Sequence, residues 1–436
     1  MKRTLMGDLI VWKTSDNRKP LLLAGPRQTG KTWLLREFGR QNFDSVAEIN
    51  LRTNMRAREI FSGDFNIERI VSEIAEETGT HIEENKTLLI LDDIHEVPHA
   101  LASLEHFRQD MPNLHVAAAS SFLGIAQHEG VSLPVDHVDS LTLEPLSFIE
   151  FLDALGKDDA AATLREAGAT GIDSTLASEL EQHLKDYLYV GGMPEVVDTF
   201  ITTHDLARTR DIQERIVGVY ELDFFRHAPV RILERIRLVW ESIPAQLSRE
   251  KKKFVYGVVR PGARGRDFEE AIDWLVDYGV LRRVWRSNML RSPLSSYQDA
   301  AAFKLFCVDV GLLGAIQHLD SRVISDGTRI FSDLNRAYTE QYVCQQLITC
   351  GMQPTFWSSN RGRAEIDFVV EVASTPVPIE VQASENLQTK SLKVARDRFR
   401  LNRCARTSLA GLHSEGWLVN VPLWAIGSGT LNGITR

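Results

Sequence analysis

Residues 21–38 read Leu-Leu-Leu-Ala-Gly-Pro-Arg-Gln-Thr-Gly-Lys-Thr-Trp-Leu-Leu-Arg-Glu-Phe. A short apolar run leads into a turn-forming segment, and apolar residues then recur at helical spacing at Leu34, Leu35 and Phe38. Between strand and helix, Gly25, four residues and then Gly30-Lys31-Thr32 match the phosphate-binding pattern GxxxxGK[ST]. A loop wrapped around a phosphate needs dihedrals that glycine tolerates, and the helix that follows points its free N–H groups and dipole at the anion. Gly25, Pro26, Arg27, Gln28, Thr29, Gly30, Lys31 and Thr32 are therefore the predicted nucleotide-binding residues. Lys31 reaches the β- and γ-phosphates, and the Thr32 hydroxyl is a ligand for Mg²⁺. The predicted cofactors are ATP and Mg²⁺.

Outward from this loop, residues 87–93 read Thr-Leu-Leu-Ile-Leu-Asp-Asp. A continuous apolar run suits a strand buried on both faces of a parallel sheet. Ligands in such sheets bind beyond the carboxyl ends of the strands, which aims both acids at the nucleotide. Asp92 is predicted to hold the Mg²⁺ shell, and Asp93 to orient or deprotonate the attacking water. A second small-residue strand, residues 114–121, ends in Ser120-Ser121; Ser121 or Ser120 is the candidate γ-phosphate sensor.

The chain has 436 residues, 43% hydrophobic and 25% charged, which is ample for several buried cores and excludes disordered, collagen-like and coiled-coil classes. No run approaches the ~20 apolar residues that span a bilayer. Asp8, Lys13 and Asp16 interrupt any signal-peptide core, and the four cysteines show no CxxC spacing. A cytoplasmic protein with no membrane partner is expected. The net charge of -9 is unevenly distributed: residues 231–266 hold ten Lys/Arg against three Asp/Glu, and residues 390–406 hold seven against one. Two basic segments in an acidic chain point to anionic partners at particular places, or to solvated helix faces.

Residues 153–180 read as a variable connection with helical pieces, followed by the turn Gly191-Gly192-Met193-Pro194. From about 216 to 292 helical spacing gives way to the alternating strand of residues 280–285, the outline of a winged helix. Such a module enters the DNA major groove or packs internally or on a protein partner. Arg249, Lys251, Lys252, Lys253, Arg260, Arg264 and Arg266 favour phosphate contact. Further on, Glu340 on a helix, Asp367 on a strand and Glu380 two residues before Gln382 resemble the PD-(D/E)xK restriction-endonuclease-like core. Carboxylates there gather Mg²⁺ against a phosphodiester, and a lysine activates water or stabilises charge. Gln382 stands at the lysine position and supplies no charge, with Lys390 or Lys393 as substitutes from the next helix. A degenerate module that grips nucleic acid through residues 390–406 is the expectation; strand-end carboxylates without metal are the plain alternative.

The segments GPRQTGKT, LILDDIHEVP, AASSFLG, LEPLSFIEFL, YVGGMPEVV, FKLFCVDVGLL, AEIDFVV and PIEVQAS follow in the order found in prokaryotic AAA-like ATPases with a C-terminal domain of unknown function. That group is similar to the STAND-type signalling and archaeal ATPases, and the resemblance covers nearly the whole chain. It implies ATP-dependent switching and an α/β architecture: a P-loop core with a parallel sheet over residues 1–152, and a helical lid over 153–215 with Pro194 against adenine or ribose. A winged helix over 216–292 and a restriction-endonuclease-like domain over 293–436 complete it. Expected partners are ATP and ADP, DNA, and a second copy or a protein partner. Two departures bear on activity. Asp93 stands where the family usually has Glu, which implies slow hydrolysis, and Pro134-Val135-Asp136-His137 lacks the basic residue that would reach a neighbouring subunit.

Overall fold

The computed structural model describes residues 1–121, 135–249, 253–319, 335–359, 364–382 and 389–434. Phe122–Gly124 of the serine-strand motif, Pro134 and the run Glu250–Lys252 lie outside these. The chain divides into a smaller unit, Arg3–Glu144 with Asp277–Val280, and a larger one, Met1–Lys2, Pro145–Val276 and Leu281–Arg436.

In the smaller unit five strands, β1 (Leu21–Ala24), β2 (Ser45–Asn50), β3 (Thr87–Asp92), β4 (His115–Ala119) and β5 (Asp139–Thr142), form a parallel sheet of order β2-β3-β4-β1-β5. Alternate side chains of each strand leave opposite faces. Leu88 and Ile90 pack with Leu34, Leu35 and Phe38 of the helix Lys31–Asn42, and with Leu9 and Trp12 of Leu5–Thr14. Leu89 and Leu91 pack on the other face with Ile70 and Ile74 of Ile67–Thr78 and Leu101, Leu104 and Phe107 of Pro98–Asp110. Burial on both faces is why β3 and β4 carry no exposed residue.

The larger unit holds an eight-stranded mixed sheet. Its strands are β6 (Leu281–Ser287), β7 (Gln298–Cys307), β8 (Thr355–Ser358), β9 (Glu365–Val372), β10 (Thr375–Val381), β11 (Cys404–Ser408), β12 (His413–Glu415) and β13 (Leu418–Pro422), in the order β12-β13-β11-β10-β9-β8-β6-β7. The helices Leu233–Leu247, Tyr256–Val259 and Gly265–Tyr278 precede the antiparallel hairpin β6–β7. That hairpin runs across the expected boundary at residue 292 and joins the C-terminal strands through a single parallel bridge, Arg286 to Phe356. Among the described residues no helix is long and apolar enough to cross a membrane.

Glutamines and one carboxylate tie the larger unit together. Asp309, fully buried, caps the helix Val310–Ile316 by accepting from Leu312 N at 3.1 Å, and its other oxygen accepts from Gly192 N at 2.6 Å and Gln345 Nε2 at 2.9 Å. Burial pushes its carboxyl above the usual range while these N–H donors pull it back. On the helix Asn335–Thr349, Gln341 exchanges two hydrogen bonds with the Cys307 backbone, Gln345 accepts from Val310 N, and Gln346 accepts from Phe148 N. Gln345 and Gln346 both donate to the Tyr187 hydroxyl, which itself donates to Leu146 O. The Gly191-Gly192 turn sits against this network: a Cβ on Gly191 would strike the Asp309 carboxylate, and one on Gly192 the Leu146 carbonyl. Close approach therefore requires both glycines, beyond any need to break a helix.

Removing a buried acceptor leaves its donors unsatisfied, at about 1–3 kcal/mol each. Asp309→Ala should lower the stability of the larger unit by about 3 kcal/mol or more, read as a fall in its calorimetric transition. An unchanged transition would show that the network contributes nothing.

Candidate functional site

Gly25, at φ 145°, lies where a Cβ would meet the Leu143 carbonyl, so the loop passes β5 with no room for a side chain. Gln28 adopts φ 66°, and Gly30, at φ 91°, opens the helix Lys31–Asn42 with no side-chain cap. The first N–H groups of that helix are thus left without a side-chain acceptor, the condition under which a helix N-terminus takes an anion. Thr29 Oγ1 donates to Pro26 O at 2.9 Å, and Arg3 donates to the Thr29 and Glu144 carbonyls, bracing the loop from behind. Arg27, like Gln28, is half-buried.

Lys31 is buried, and its Nζ donates to Gly25 O at 3.0 Å and Pro26 O at 2.8 Å. Burial pulls its ammonium down to about 8, opposed by the Asp93 and Asp92 carboxylates. Thr32 Oγ1 donates to Asp92 Oδ1 at 3.0 Å. Hydroxyl and carboxylate are therefore adjacent, as a shared octahedral cation requires, and the pair fits the Mg²⁺ of Mg-ATP. Burial, then the neighbouring Asp93, pushes Asp92 above the usual carboxylate range.

Asp93 follows at φ 53°, immediately before a 3-10 turn, Ile94–Glu96. A residue not expected from sequence holds it. Asn50, at the end of β2 and in register with Asp92, donates to Asp92 Oδ2 at 2.9 Å and Asp93 Oδ2 at 3.3 Å. Its own Oδ1 accepts from the backbone of Arg52 and Thr53. The only sequence signal was a polar residue closing the apolar alternation of β2. At the end of β4, Ser120 is buried and its Oγ lies 3.3 Å from His95 Nδ1, while Ser121 is half-buried in the following bend. Pro194 belongs to the larger unit, where it is the first residue of the helix Pro194–Thr203.

The second predicted set does come together. Glu340 and Asp367 are each 1% exposed and share one guanidinium: Arg336 Nε donates to Glu340 Oε1 at 2.8 Å, and Nη2 to Asp367 Oδ1 at 2.9 Å. Asp367 Oδ2 accepts from Val381 N at 2.8 Å. Lys304, fully buried on β7, sits 2.9 Å from Glu365 Oε1 and 3.9 Å from Glu340 Oε2. Burial pulls its ammonium down, but the Glu340, Glu365 and Asp367 carboxylates more than offset this and leave it above its ordinary value. Asp367, with Glu340 beside it, likewise holds the Arg336 guanidinium above its ordinary value. Glu380 closes β10 nearby, pushed up to about 7 by burial and then by Asp367. Gln382 follows β10 and its N–H donates to Thr407 O at 2.9 Å. Lys390 and Lys393, the expected substitutes, are exposed on the helix Lys390–Phe399; the lysine at the acids is Lys304.

Residues 17–152 match the model of an AAA domain, and residues 181–323 and 336–414 match two models described as domains of unknown function, DUF8612 and DUF4143. No curated protein matches the chain in sequence. Among solved structures, the Walker-type ATPase PABY2304 of Pyrococcus abyssi is similar at 12% identity and a TM-score of 0.46, over 72% of this chain and 95% of that one. The Aeropyrum pernix Orc1 protein, solved in complex with DNA, is similar at 14% identity and a TM-score of 0.30, over 72% and 90%. The Thermotoga maritima RuvB Holliday junction branch migration motor is similar at 13% identity and a TM-score of 0.29, over 66% and 86%. The parallel sheet of the smaller unit lies within the stretch that matches the AAA domain, and the chain as a whole is mixed α/β.

Arg3 holds the Thr29 and Glu144 carbonyls behind the loop, so its loss should act on loop order. Arg3→Met is expected to weaken Mg-ATP binding about tenfold, a loss of about 1.4 kcal/mol, by isothermal titration. Unchanged affinity would remove the bracing role.

Proposed function

We propose that the chain is an Mg-ATP-binding and slowly hydrolysing switch whose nucleotide state governs a nucleic-acid-binding C-terminal region. The observation that carries the ATPase reading is the Thr32–Asp92 hydrogen bond beside the uncapped helix end that bears Lys31. In this reading the backbone of Gly25–Thr32 wraps the phosphates. Lys31 leaves the Gly25 and Pro26 carbonyls for the β- and γ-phosphates, as a cation should when a stronger anionic acceptor arrives. Thr32 and Asp92 hold the Mg²⁺ that arrives with ATP. Asp93 orients the attacking water, with Asn50 fixing the carboxylate's direction. Ser121 or Ser120 senses the γ-phosphate. Because Asp is one methylene shorter than Glu, the water is held less closely and turnover is slow.

The nucleic-acid reading rests on the helix Lys390–Phe399 and the residue after it, where Lys390, Lys393, Arg398 and Arg400 are exposed. Arg396 stacks over Trp417 and pairs with Asp397, and Arg403 donates to Gly416 O, so these two are partly committed within the chain. Fixed positive charge with neighbouring aromatic surface grips a phosphate backbone without reading sequence. A second reading, a signalling switch with a protein partner, is favoured by the helix Gly265–Tyr278 in the winged-helix-like segment. It carries Asp267, Glu269, Glu270, Asp273 and Asp277 against one Arg266, and such an acidic helix is repelled from a DNA groove. Arg249, Lys253, Arg260, Arg264 and Arg266, the described phosphate-directed charges of this segment, are exposed ahead of it and at its start.

The deciding experiment is ATP turnover with and without single-stranded, duplex and branched DNA. Lys31→Ala should remove most nucleotide binding; unchanged affinity and turnover would refute the loop's role. Asp93→Asn should lower kcat by about a hundredfold while leaving ATP affinity intact, since a group that acts in the transition state does not change ground-state binding. Neutralising Arg396, Arg398, Arg400 and Arg403 to Gln should weaken DNA binding and flatten its salt dependence. If DNA neither binds nor stimulates turnover, a protein partner becomes the better reading.

A further inference from the structure

A PD-(D/E)xK core implies a divalent cation among Glu340, Asp367 and Glu380, and these residues do not fit one. Glu340 Oε1 and Asp367 Oδ1, the oxygens a shared ion would take, are already bridged by Arg336. Asp367 Oδ2 is engaged by Val381 N, and Lys304 stands on the far side of Glu340. A divalent ion there would meet two fixed positive charges at close range in a buried site, where screening is weak. Among the described residues no group of His, Cys, Asp and Glu is arranged to hold a metal ion.

We propose that Lys304 and Arg336 are the permanent counter-ions of this acid cluster. They form a metal-independent clasp that ties β7, β9 and the helix Asn335–Thr349 together, so that this region works without a divalent ion. The clasp does not depend on the absence of lysine at 382, and it serves equally whether the domain's partner is nucleic acid or protein. Arg336 lies one helical turn before Glu340, at the i, i+4 spacing that brings the two side chains together. Lys304 interrupts the apolar run Ala302–Cys307, all of it buried. A lysine in that position is cut off from water and is tolerated only where carboxylates meet it, as Glu340 and Glu365 do. Each cation reaches a different pair of carboxylates, so strand, helix and second strand are linked through charges internal to the chain.

The test uses the full chain without nucleotide, in EDTA or with saturating MnCl₂, followed by calorimetric unfolding of the larger unit and by Mn²⁺ electron paramagnetic resonance. The unmodified protein should unfold at the same temperature in both conditions, with no bound Mn²⁺ that depends on Asp367. Arg336→Ala, which frees Glu340 Oε1 and Asp367 Oδ1, should unfold earlier in EDTA. It should also gain Mn²⁺ affinity about tenfold or more above the parent and recover stability as the ion fills the vacated position. Arg336→Lys should stay closer to the parent. The proposal is overturned if the parent binds a Mn²⁺ ion that Asp367→Asn removes, or if Arg336→Ala unfolds like the parent in EDTA. Should Arg336→Ala fail to fold, the Asp367→Asn comparison in the parent and the stability of Lys304→Met decide. Parent Mn²⁺ binding that Asp367 controls, or unaltered stability of Lys304→Met, overturns the clasp; their opposites support it.

Discussion

The carboxylate of Asp309 is shared by segments far apart in the chain: the turn at Gly192, the helix that begins at Val310, and Gln345 on the helix Asn335–Thr349. A buried carboxylate persists only if donors surround it, because an unpaired charge inside a protein is costly enough to unfold it. Those donors are supplied by backbone N–H groups that would otherwise be orphaned at a turn and a helix start. The glutamines at 341, 345 and 346 extend the same solution, each spending its amide on main-chain groups of other segments. The lid and C-terminal segments read from sequence therefore share one polar interior.

The smaller unit is built on another logic. Its strands bury both faces, its helices cover them, and the polar groups of the site are set apart at the carboxyl ends of β1, β2, β3 and β4. That separation leaves Lys31, Thr32, Asn50, Asp92, Asp93 and Ser120 as a polar cap on an apolar block. Its geometry is set by strand register more than by loop conformation, Asn50 standing opposite Asp92 because β2 and β3 are paired there.

Much of this was legible in the sequence. The loop Gly25–Thr32 and the strand ending at Asp92 were readable because strand, turn and helix signals are local and agree with one another. Glu340, Asp367 and Glu380 were also identified and do converge. Their counter-ions were not, for a physical reason. Lys304 and Arg336 are meaningful only against partners up to 61 residues away in the case of Lys304–Glu365, and a lysine in an apolar strand has no interpretation until the fold supplies its acid. Asn50 escaped for the same reason, and so did the junction of β6 with β8, which rests on one bridge between residues 286 and 356.

The Gly191-Gly192 turn has a consequence for how this chain tolerates change. Both α-hydrogens face groups that cannot retreat, a main-chain carbonyl at Leu146 and a carboxylate already committed at Asp309. Every other amino acid is barred at these two positions by volume alone, whatever its polarity. Three residues on, Glu195 is exposed and open to replacement. Permitted substitutions therefore change abruptly within a few residues, and a library randomised across 189–197 would recover functional chains with glycine retained at 191 and 192 and free variation at 195.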